Sequence, residues 1–279
     1  MVRILSDSTC DLSPELIERY DIKIIPLYVR LGDAEYRDGI DITPEDLYKW
    51  SDENDATPKT AAPGISFFTS FINDPGDEYI IFTISSSMSS SFNNARLAAE
   101  ELNMTDRVFV IDSRSLSTGI GLQVLAACEM AEEGMSGKEI VDEISAIIPK
   151  VRASFVIDTL TYLYRGGRCS GLSALLGAAL KLHPRIAVSN GEMHPEKKYR
   201  GSAKKYISDY VRDMEQDLLN ARSERVFITH SGCDPETIGS VRDYLTELKH
   251  FDEILVTRAG SVISSHCGPG TLGVLFIAG

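Results

Sequence analysis

The feature that most constrains the fold is a repeated change from strand-like to helix-like sequence in the first half of the chain. Apolar runs at residues 2–5, 79–84 and 107–111 are each followed by helical signals, such as Ser13-Pro14-Glu15 after the first run. A strand that reaches the next strand through a helix lies parallel to it. Residues 1–148 are therefore predicted to form an open, mostly parallel α/β sheet domain.

The second half of the chain has a less regular pattern. Asn190-Gly191 lies between two short apolar runs, which is a strong signal for a β-hairpin. The remaining runs predict strands at 153–157, 225–229 and 253–256, and long helices at 138–148 and 203–219. We expect residues 149–279 to form a mixed α+β domain, with the domain boundary at Pro149.

Charge and composition exclude several classes of protein. A formal net charge of −13 argues against binding nucleic acid, which needs a basic surface. No apolar stretch has the length of a membrane span, so we expect no stable membrane insertion and at most transient membrane contact. The first residues also lack a secretory signal, which favours a cytoplasmic location. Five scattered cysteines indicate neither disulfides nor zinc, and we expect no metal and no cofactor.

A serine-rich stretch, ISSSMSSSF at residues 84–92, joins a predicted strand to a predicted helix. Open α/β proteins bind ligands at such junctions, where hydroxyl and backbone N–H groups favour a carboxylate or phosphate oxygen. The stretch lacks the glycines and lysine of a P-loop, and it lacks the G-x-S-x-G of a hydrolase nucleophile. An N-cap role explains one or two of the serines, Ser90 and Ser91, but not all six.

Two other segments carry candidate ligand-binding groups. Thr60 precedes an apolar helix pattern, so its hydroxyl either caps that helix or faces a ligand. His266 is predicted to lie in a Gly-Pro-Gly turn beside two serines, which makes it a better ligand candidate than an isolated histidine. Residues 197–205 carry five cations, which form either a solvated helix start or a patch for an acidic partner or a phosphate.

These segments together resemble the DegV family. The resemblance runs from end to end, through the motifs SDSTCDL (6–12), TPKT (57–60), ISSSMSSSF (84–92), IDS (111–113), TLTYLYRGGR (159–168) and HCGPG (266–270). Membership would imply a two-domain α/β protein with one long-chain fatty acid between the domains. It would also imply a non-catalytic subunit that presents the acyl carboxylate to a separate ATP-dependent fatty acid kinase subunit for acyl-phosphate formation and phospholipid synthesis.

The resemblance also implies a set of site residues. The expected carboxylate ligands are Thr60, the serine turn (Ser86, Ser89 and Ser90, with Ser89 first) and His266, and the expected kinase-docking residues are Arg165, Arg168, Arg200 and Lys204. Apolar candidates for the acyl tunnel are Phe155, Ile157, Leu160, Leu172, Leu175, Leu176, Leu180 and Phe276.

Two alternative functions remain open at this point. The first is a serine-dependent acyl hydrolase or transferase that uses Ser89 as nucleophile and His266 as base. The second is a lipid reservoir or sensor that works without a kinase. The sequence shows no orienting carboxylate for a catalytic triad.

Overall fold

The computed structural model describes residues 1–169, 171 and 182–279. The elements that precede residue 148 are β1 (Val2–Asp7), α1 (Pro14–Arg19), β2 (Lys23–Ile25), β3 (Tyr28–Leu31), β4 (Ala34–Arg37), α2 (Pro44–Asn54), β5 (Lys59–Ala61), α3 (Ile65–Thr69), β6 (Glu78–Thr83), α4 (Ser91–Glu101), β7 (Val108–Asp112), α5 (Thr118–Glu132) and α6 (Gly137–Ile147). A 3-10 turn at Ser8–Cys10 follows β1, and another at Ile148–Lys150 follows α6.

The remaining described elements form the second half. They are β8 (Val151–Val156), α7 (Thr161–Gly166), β9 (His183–Ser189), β10 (Glu192–Tyr199), α8 (Ala203–Arg212), α9 (Glu215–Leu219), β11 (Arg225–His230), α10 (Pro235–Glu247), β12 (Glu253–Arg258), α11 (Ser261–Cys267) and β13 (Leu272–Ile277).

The first half contains the predicted parallel sheet. Its four strands lie in the order β2-β1-β6-β7, and every pair is parallel. The carboxyl ends of β1, β6 and β7 therefore lie at one edge, and the serine turn leaves β6 there. Ser13 begins α1 as expected, because its side chain accepts a hydrogen bond from the Leu16 N–H.

The second half contains a six-stranded mixed sheet in the order β10-β9-β8-β13-β11-β12. Only β11 and β12 are parallel to each other, and the other neighbours are antiparallel. The predicted hairpin is confirmed between β9 and β10, where Asn190 and Gly191 both have positive φ angles of 51° and 86°. This is the backbone geometry that a two-residue hairpin turn requires.

A third sheet was not expected from the sequence. It is antiparallel, has the order β4-β3-β5, and contains only strands of three or four residues. Such short strands leave too few residues for an alternating pattern to be visible. The sheet matters for function because β5 carries Thr60.

Two local predictions were wrong. The helix expected at 203–219 is divided into α8 and α9 at Asp213, whose carboxylate accepts hydrogen bonds from Lys197 and Tyr199 of β10. His266 lies on the last turn of α11 rather than in the Gly-Pro-Gly turn. That turn begins two residues later, at Gly268, where a φ of 76° ends the helix.

The largest hydrophobic cluster joins the two halves of the chain. Ile80 and Ile120 of the first half pack in the same cluster as Phe155, Ile186 and Leu275 of the second. The four strands of the parallel sheet all precede residue 148, and the six strands of the mixed sheet all follow it. The division into domains 1–148 and 149–279 stays a prediction. Within the described part of the chain, no helix has the length and apolar character to cross a bilayer.

Candidate functional site

A cavity of about 360 Å³ lies between the serine turn, strand β5 and helix α11. We call the polar residues of its wall the polar lining, and these are Thr60, Ser89, Ser90, Arg168 and His266. We call the apolar residues of its wall the apolar lining, and these are Leu27, Ala61, Ala62, Ile84, Met88, Leu116, Met193, Val262, Ile263 and Cys267. The cavity therefore combines a polar group with a larger hydrocarbon surface, as expected for an amphipathic ligand.

Thr60 and His266 are 206 residues apart in sequence but in direct contact. The Thr60 Oγ1 atom lies 2.8 Å from the His266 Nε2 atom, which is a hydrogen-bonding distance. Thr60 does not cap the following helix, because α3 begins after Gly64 and has no side-chain cap. Of the two roles open to Thr60, the structure favours the one in the cavity wall.

The His266 ring is held in its neutral form. Burial, and then the nearby positive charge of Arg168, lower the pKa of the imidazole from 6.5 to about 4. Its Nδ1 atom is inaccessible and has no hydrogen-bond partner among the residues that the structure describes. The backbone of α7 closes this side of the ring, since a Cβ atom on Gly166 would lie only 2.3 Å from Nδ1. His266 is therefore available to a ligand or to Thr60 through Nε2 alone.

The serines of the turn have different roles. Ser85 is buried and donates to the Gly191 carbonyl at 2.7 Å, which fastens the turn to the β9–β10 hairpin. Ser89 lines the cavity, and its Oγ lies 2.9 Å from the Oγ of Ser91. Ser90 occupies the N-cap position of α4 but makes no side-chain cap bond, and its side chain also lines the cavity. Capping therefore accounts for little of the serine-rich stretch.

Ser86 differs from the expectation for the turn. Its side chain is exposed, does not line the cavity, and donates to the carboxylate of Asp112. Asp112 also accepts the Ser86 backbone N–H at 3.1 Å, so the whole residue faces the end of β7. We therefore leave Ser86 out of the candidate site.

A buried carboxylate that sequence analysis missed supports the serine turn. Asp7, the last residue of β1, accepts the backbone N–H of Ile84 at 2.9 Å and that of Thr9 at 3.1 Å. Burial raises the pKa of Asp7 to about 6. An acidic residue at the end of a buried strand is a visible signal, because a buried carboxylate must find hydrogen-bond donors.

The apolar lining differs from the tunnel predicted from sequence. Phe155, Ile157 and Leu160 belong to the core but do not line this cavity. Phe276 packs on the opposite face of the six-stranded sheet. Phe155 does line a neighbouring void of about 20 Å³, which shares Leu116, Ile263 and Cys267 with the cavity. The candidates Leu172, Leu175, Leu176 and Leu180 lie outside the described residues.

The four cations expected at a docking surface occupy different places. Arg168 lines the cavity and donates to the Gly166 carbonyl at 2.6 Å, and Arg165 donates to the Thr57 hydroxyl at 3.0 Å. Lys204 pairs with Glu236 at 2.5 Å, whereas Arg200 is exposed just after β10. Of these four cations, Arg168 alone lines the cavity, and Arg165 lies three residues before it on α7.

The contacts do not assemble a catalytic triad. A serine nucleophile needs a histidine base within hydrogen-bonding distance, and that histidine needs an orienting carboxylate on its other nitrogen. Here the contacts of Ser89 and His266 are with Ser91 and Thr60, and no described residue pairs with the histidine Nδ1. The arrangement fits the binding of an oxygen ligand better than nucleophilic catalysis.

A larger cleft of about 860 Å³ lies elsewhere, beside β8, β9 and the end of α6. Its walls carry three arginines and three acidic residues, namely Arg114, Arg152, Arg185, Asp112, Glu196 and Asp217. Ionised groups of both signs suit neither a hydrocarbon chain nor one particular charged ligand. The smaller cavity is therefore the candidate site.

The fold and the cavity define a three-sheet α/β protein with a cavity whose lining is partly polar and partly apolar. Comparison with known proteins then gives the family. The family model described as "Uncharacterised protein, DegV family" matches residues 1–279, and the chain belongs to the DegV family.

Similarity to individual proteins covers the whole chain. A DegV domain-containing protein of Caldanaerobacter subterraneus is 32% identical over 99% of this chain and 98% of its own. A structure named for fatty acid binding by a DegV family protein of Thermus thermophilus has a TM-score of 0.91 and 31% identity, and it covers 99% of both chains. A stearic acid-binding protein of Eubacterium ventriosum has a TM-score of 0.84 and 27% identity, over 100% of this chain and 98% of its own.

Proposed function

We propose that this chain binds one long-chain fatty acid in the 360 Å³ cavity, with the carboxylate at the polar lining and the tail along the apolar lining. The observation that carries the proposal is the Thr60–His266 contact in the wall of a cavity that is lined mainly by apolar residues. The Thermus and Eubacterium relatives, which are named for fatty acid and stearic acid binding, support the ligand class.

The hydrocarbon tail supplies most of the affinity. Each methylene removed from water contributes about 0.8 kcal/mol, so a long tail contributes on the order of 10 kcal/mol before ordering costs. The volume of about 360 Å³ lies within the range usual for small-molecule sites. The walls that receive the tail include Leu116 and Ile263, both nearly inaccessible to solvent.

The polar lining recognises the carboxylate mainly with neutral groups. A neutral His266 that carries its proton on Nε2 donates to Thr60 Oγ1, which leaves the Thr60 hydroxyl proton for a carboxylate oxygen. The opposite tautomer would place an N–H donor at Nδ1, which has no acceptor among the described residues, and would make the Thr60 hydroxyl donate to the ring instead of to the ligand. Ser89 and Ser90 add further donors, and among the described residues Arg168 is the one cation of the lining.

The position of the polar lining also supports presentation to a partner. Ser90 and Arg168 both line the cavity and are both exposed, so the carboxylate lies near the surface. The proposal is that a separate ATP-dependent fatty acid kinase docks over Arg165, Arg168, Arg200 and Lys204 and phosphorylates the carboxylate, while this chain performs no chemistry. Because the kinase uses ATP, the proposal places both proteins in the cytoplasm.

The ligand is tested on the purified protein. Mass spectrometry of its organic extract should find a long-chain fatty acid, and delipidated protein should bind stearic acid with one-to-one stoichiometry. An empty extract together with no binding of stearic acid would refute the proposal.

Presentation of the carboxylate to a kinase needs a separate test. Stearate-loaded protein, the kinase subunit and ATP should yield acyl phosphate, measured by trapping with hydroxylamine. Arg165→Ala should slow this reaction without changing stearate affinity, because Arg165 lies outside the cavity lining. Lys138→Ala is the control, since Lys138 is an exposed cation on α6 that pairs with Asp142. Equal rates for wild type and Arg165→Ala would exclude Arg165 from docking, and the absence of acyl phosphate would favour a lipid reservoir.

A further inference from the structure

Two buried carboxylates from the first 38 residues hold the start of α11. Asp38 Oδ1 accepts the backbone N–H groups of Ser261 at 2.7 Å and Val262 at 3.3 Å. Asp11 Oδ1 accepts the N–H of Gly260 at 2.8 Å. Three successive N–H groups of the first turn are therefore bound by side chains that lie more than 200 residues away in sequence.

Helix α11 has no cap of its own. Its N-cap residue is Gly260, which has no side chain to accept a hydrogen bond, and Ser261 is buried. Buried N–H groups at a helix start need acceptors, and Asp38 and Asp11 supply them. The second oxygen of Asp38 accepts the Ser8 hydroxyl at 2.8 Å, and that of Asp11 accepts the Ser117 hydroxyl. The carboxylates are thus fixed to the first half of the chain.

The other end of α11 carries His266. His266 lies five positions after Ser261, which is a rise of about 7.5 Å along a helix. Thr60 lies on the same three-stranded sheet that leads to Asp38, because β5 places Thr60 opposite Val29 of β3, and β3 also pairs with β4, which ends one residue before Asp38. The 2.8 Å contact between Thr60 and His266 therefore depends on where Asp38 and Asp11 hold the start of α11.

A metal site or a simple helix cap would account for these carboxylates less well. Among the residues described here, no group of three or more His, Cys, Asp or Glu side chains is arranged to hold a metal ion. Simple helix capping would explain the stability of α11 but would not affect recognition of a ligand head group. That difference separates a positioning role from a purely structural one.

The geometry points to Asp38, supported by Asp11, as a positioning residue that sets His266 against Thr60 for carboxylate recognition. This inference rests on the proposed function, because it assigns Asp38 to the fatty-acid site. Asp38 does not touch the ligand and acts through α11.

The test compares stearic acid with octadecan-1-ol, which has the same tail and no carboxylate. Asp38→Ala should weaken stearic acid binding about tenfold, through loss of buried hydrogen bonds, and should affect the alcohol much less. Asp38→Asn keeps one acceptor for the Ser261 N–H but loses the acceptor for the Ser8 hydroxyl, so it should restore only part of the affinity. In a His266→Ala background, Asp38→Ala should cause no further loss of acid-over-alcohol selectivity.

Asp234→Ala is the matched control, because Asp234 caps α10 by accepting the Thr237 N–H at 3.0 Å and lies outside the cavity lining. It should lower stability without changing selectivity. An unchanged selectivity in Asp38→Ala, or an equal loss in the His266→Ala background, would overturn the positioning role.

NMR of the His266 ring is a second measurement, for the cases in which the binding comparison cannot be made. If wild type fails to bind stearic acid, the proposed function is wrong, and if Asp38→Ala does not fold, binding to that variant cannot be measured. In either case the His266 ring signals in NMR spectra of Asp38→Asn and wild type decide the matter. A shifted ring signal supports positioning by Asp38, and identical signals overturn it.

Discussion

The polar and apolar linings of the cavity are built differently. The polar lining brings Thr60 and His266 into contact from opposite ends of the chain, and buried carboxylates hold the elements around it. The apolar lining consists of side chains such as Leu116 and Ile263 that pack as ordinary core. In the proposed binding mode, the apolar lining supplies affinity through burial of methylenes, and the polar lining determines which end of the ligand binds where.

The largest expected effect comes from filling the apolar lining. Ala62→Trp places an indole at a partly exposed position in the cavity wall. If it displaces about four methylenes at about 0.8 kcal/mol each, stearic acid affinity falls about two hundredfold. Fluorescence or calorimetric titration measures this loss. Ala203→Trp, which adds the same side chain at an exposed position outside the cavity, should bind like wild type. Near wild-type affinity in Ala62→Trp would place the tail elsewhere.

The second effect concerns the carboxylates that support the polar lining. Burial, with a smaller contribution from the charge of Asp38, raises the pKa of Asp11 from 3.8 to about 8. The folded state then keeps a proton that the unfolded state has lost, so stability falls as pH rises through this window. Between pH 6.5 and 8 the unfolding free energy should drop by about 2 kcal/mol at most.

Denaturant unfolding of wild type and Asp11→Asn at both pH values measures this drop. The slope of unfolding free energy against pH should be smaller in Asp11→Asn than in wild type. It should not vanish, because the pKa of Asp38 is also raised and its contribution remains. Asp234→Asn should keep the wild-type slope, because hydrogen bonds from Thr237 lower the pKa of Asp234. Equal slopes for wild type and Asp11→Asn would show that Asp11 is ionised at pH 6.5.

A third and smaller effect is expected from the hydroxyl of the polar lining. Thr60→Val keeps the shape of the side chain but removes the donor, which should cost about 1.5 kcal/mol, or about tenfold in stearic acid affinity. Competition binding measures the loss. Ser86→Ala removes a hydroxyl that faces Asp112 instead and should leave affinity unchanged. Equal effects of the two substitutions would contradict the assignment of the polar lining.

The last prediction is that the His266 ring does not titrate near neutral pH. With a pKa of about 4, the His266 ring should stay neutral at every pH above 5.5. NMR of the histidine ring protons measures this directly, with His266→Ala to assign the signal. A midpoint near 6.5 would mean that the ring is far less buried than its contacts show.

The sequence predicted the polar lining better than the apolar lining. Thr60, Ser89 and His266 stand in unusual local patterns, and hydroxyl or imidazole groups in such patterns indicate a ligand. Leu116 and Ile263 could not be recognised, because an apolar side chain looks the same beside a cavity as in a filled core. The resemblance to a known family therefore supplied the ligand class, which the residues alone did not.

The fold was predictable where elements are long. The parallel sheet and the hairpin at Asn190-Gly191 follow from periodicity and turn chemistry. The break at Asp213 and the capping of α11 by Asp38 depend on contacts between distant segments. Local sequence does not specify such contacts, since each partner is an ordinary residue in its own segment.

The most direct test of the proposed binding mode is a crystal structure of the protein with stearic acid. We expect a carboxylate oxygen within hydrogen-bonding distance of Thr60 Oγ1 and carbon atoms along Leu116 and Ile263. A carboxylate that faces Leu116, or a ligand in the 860 Å³ cleft instead, would contradict this binding mode.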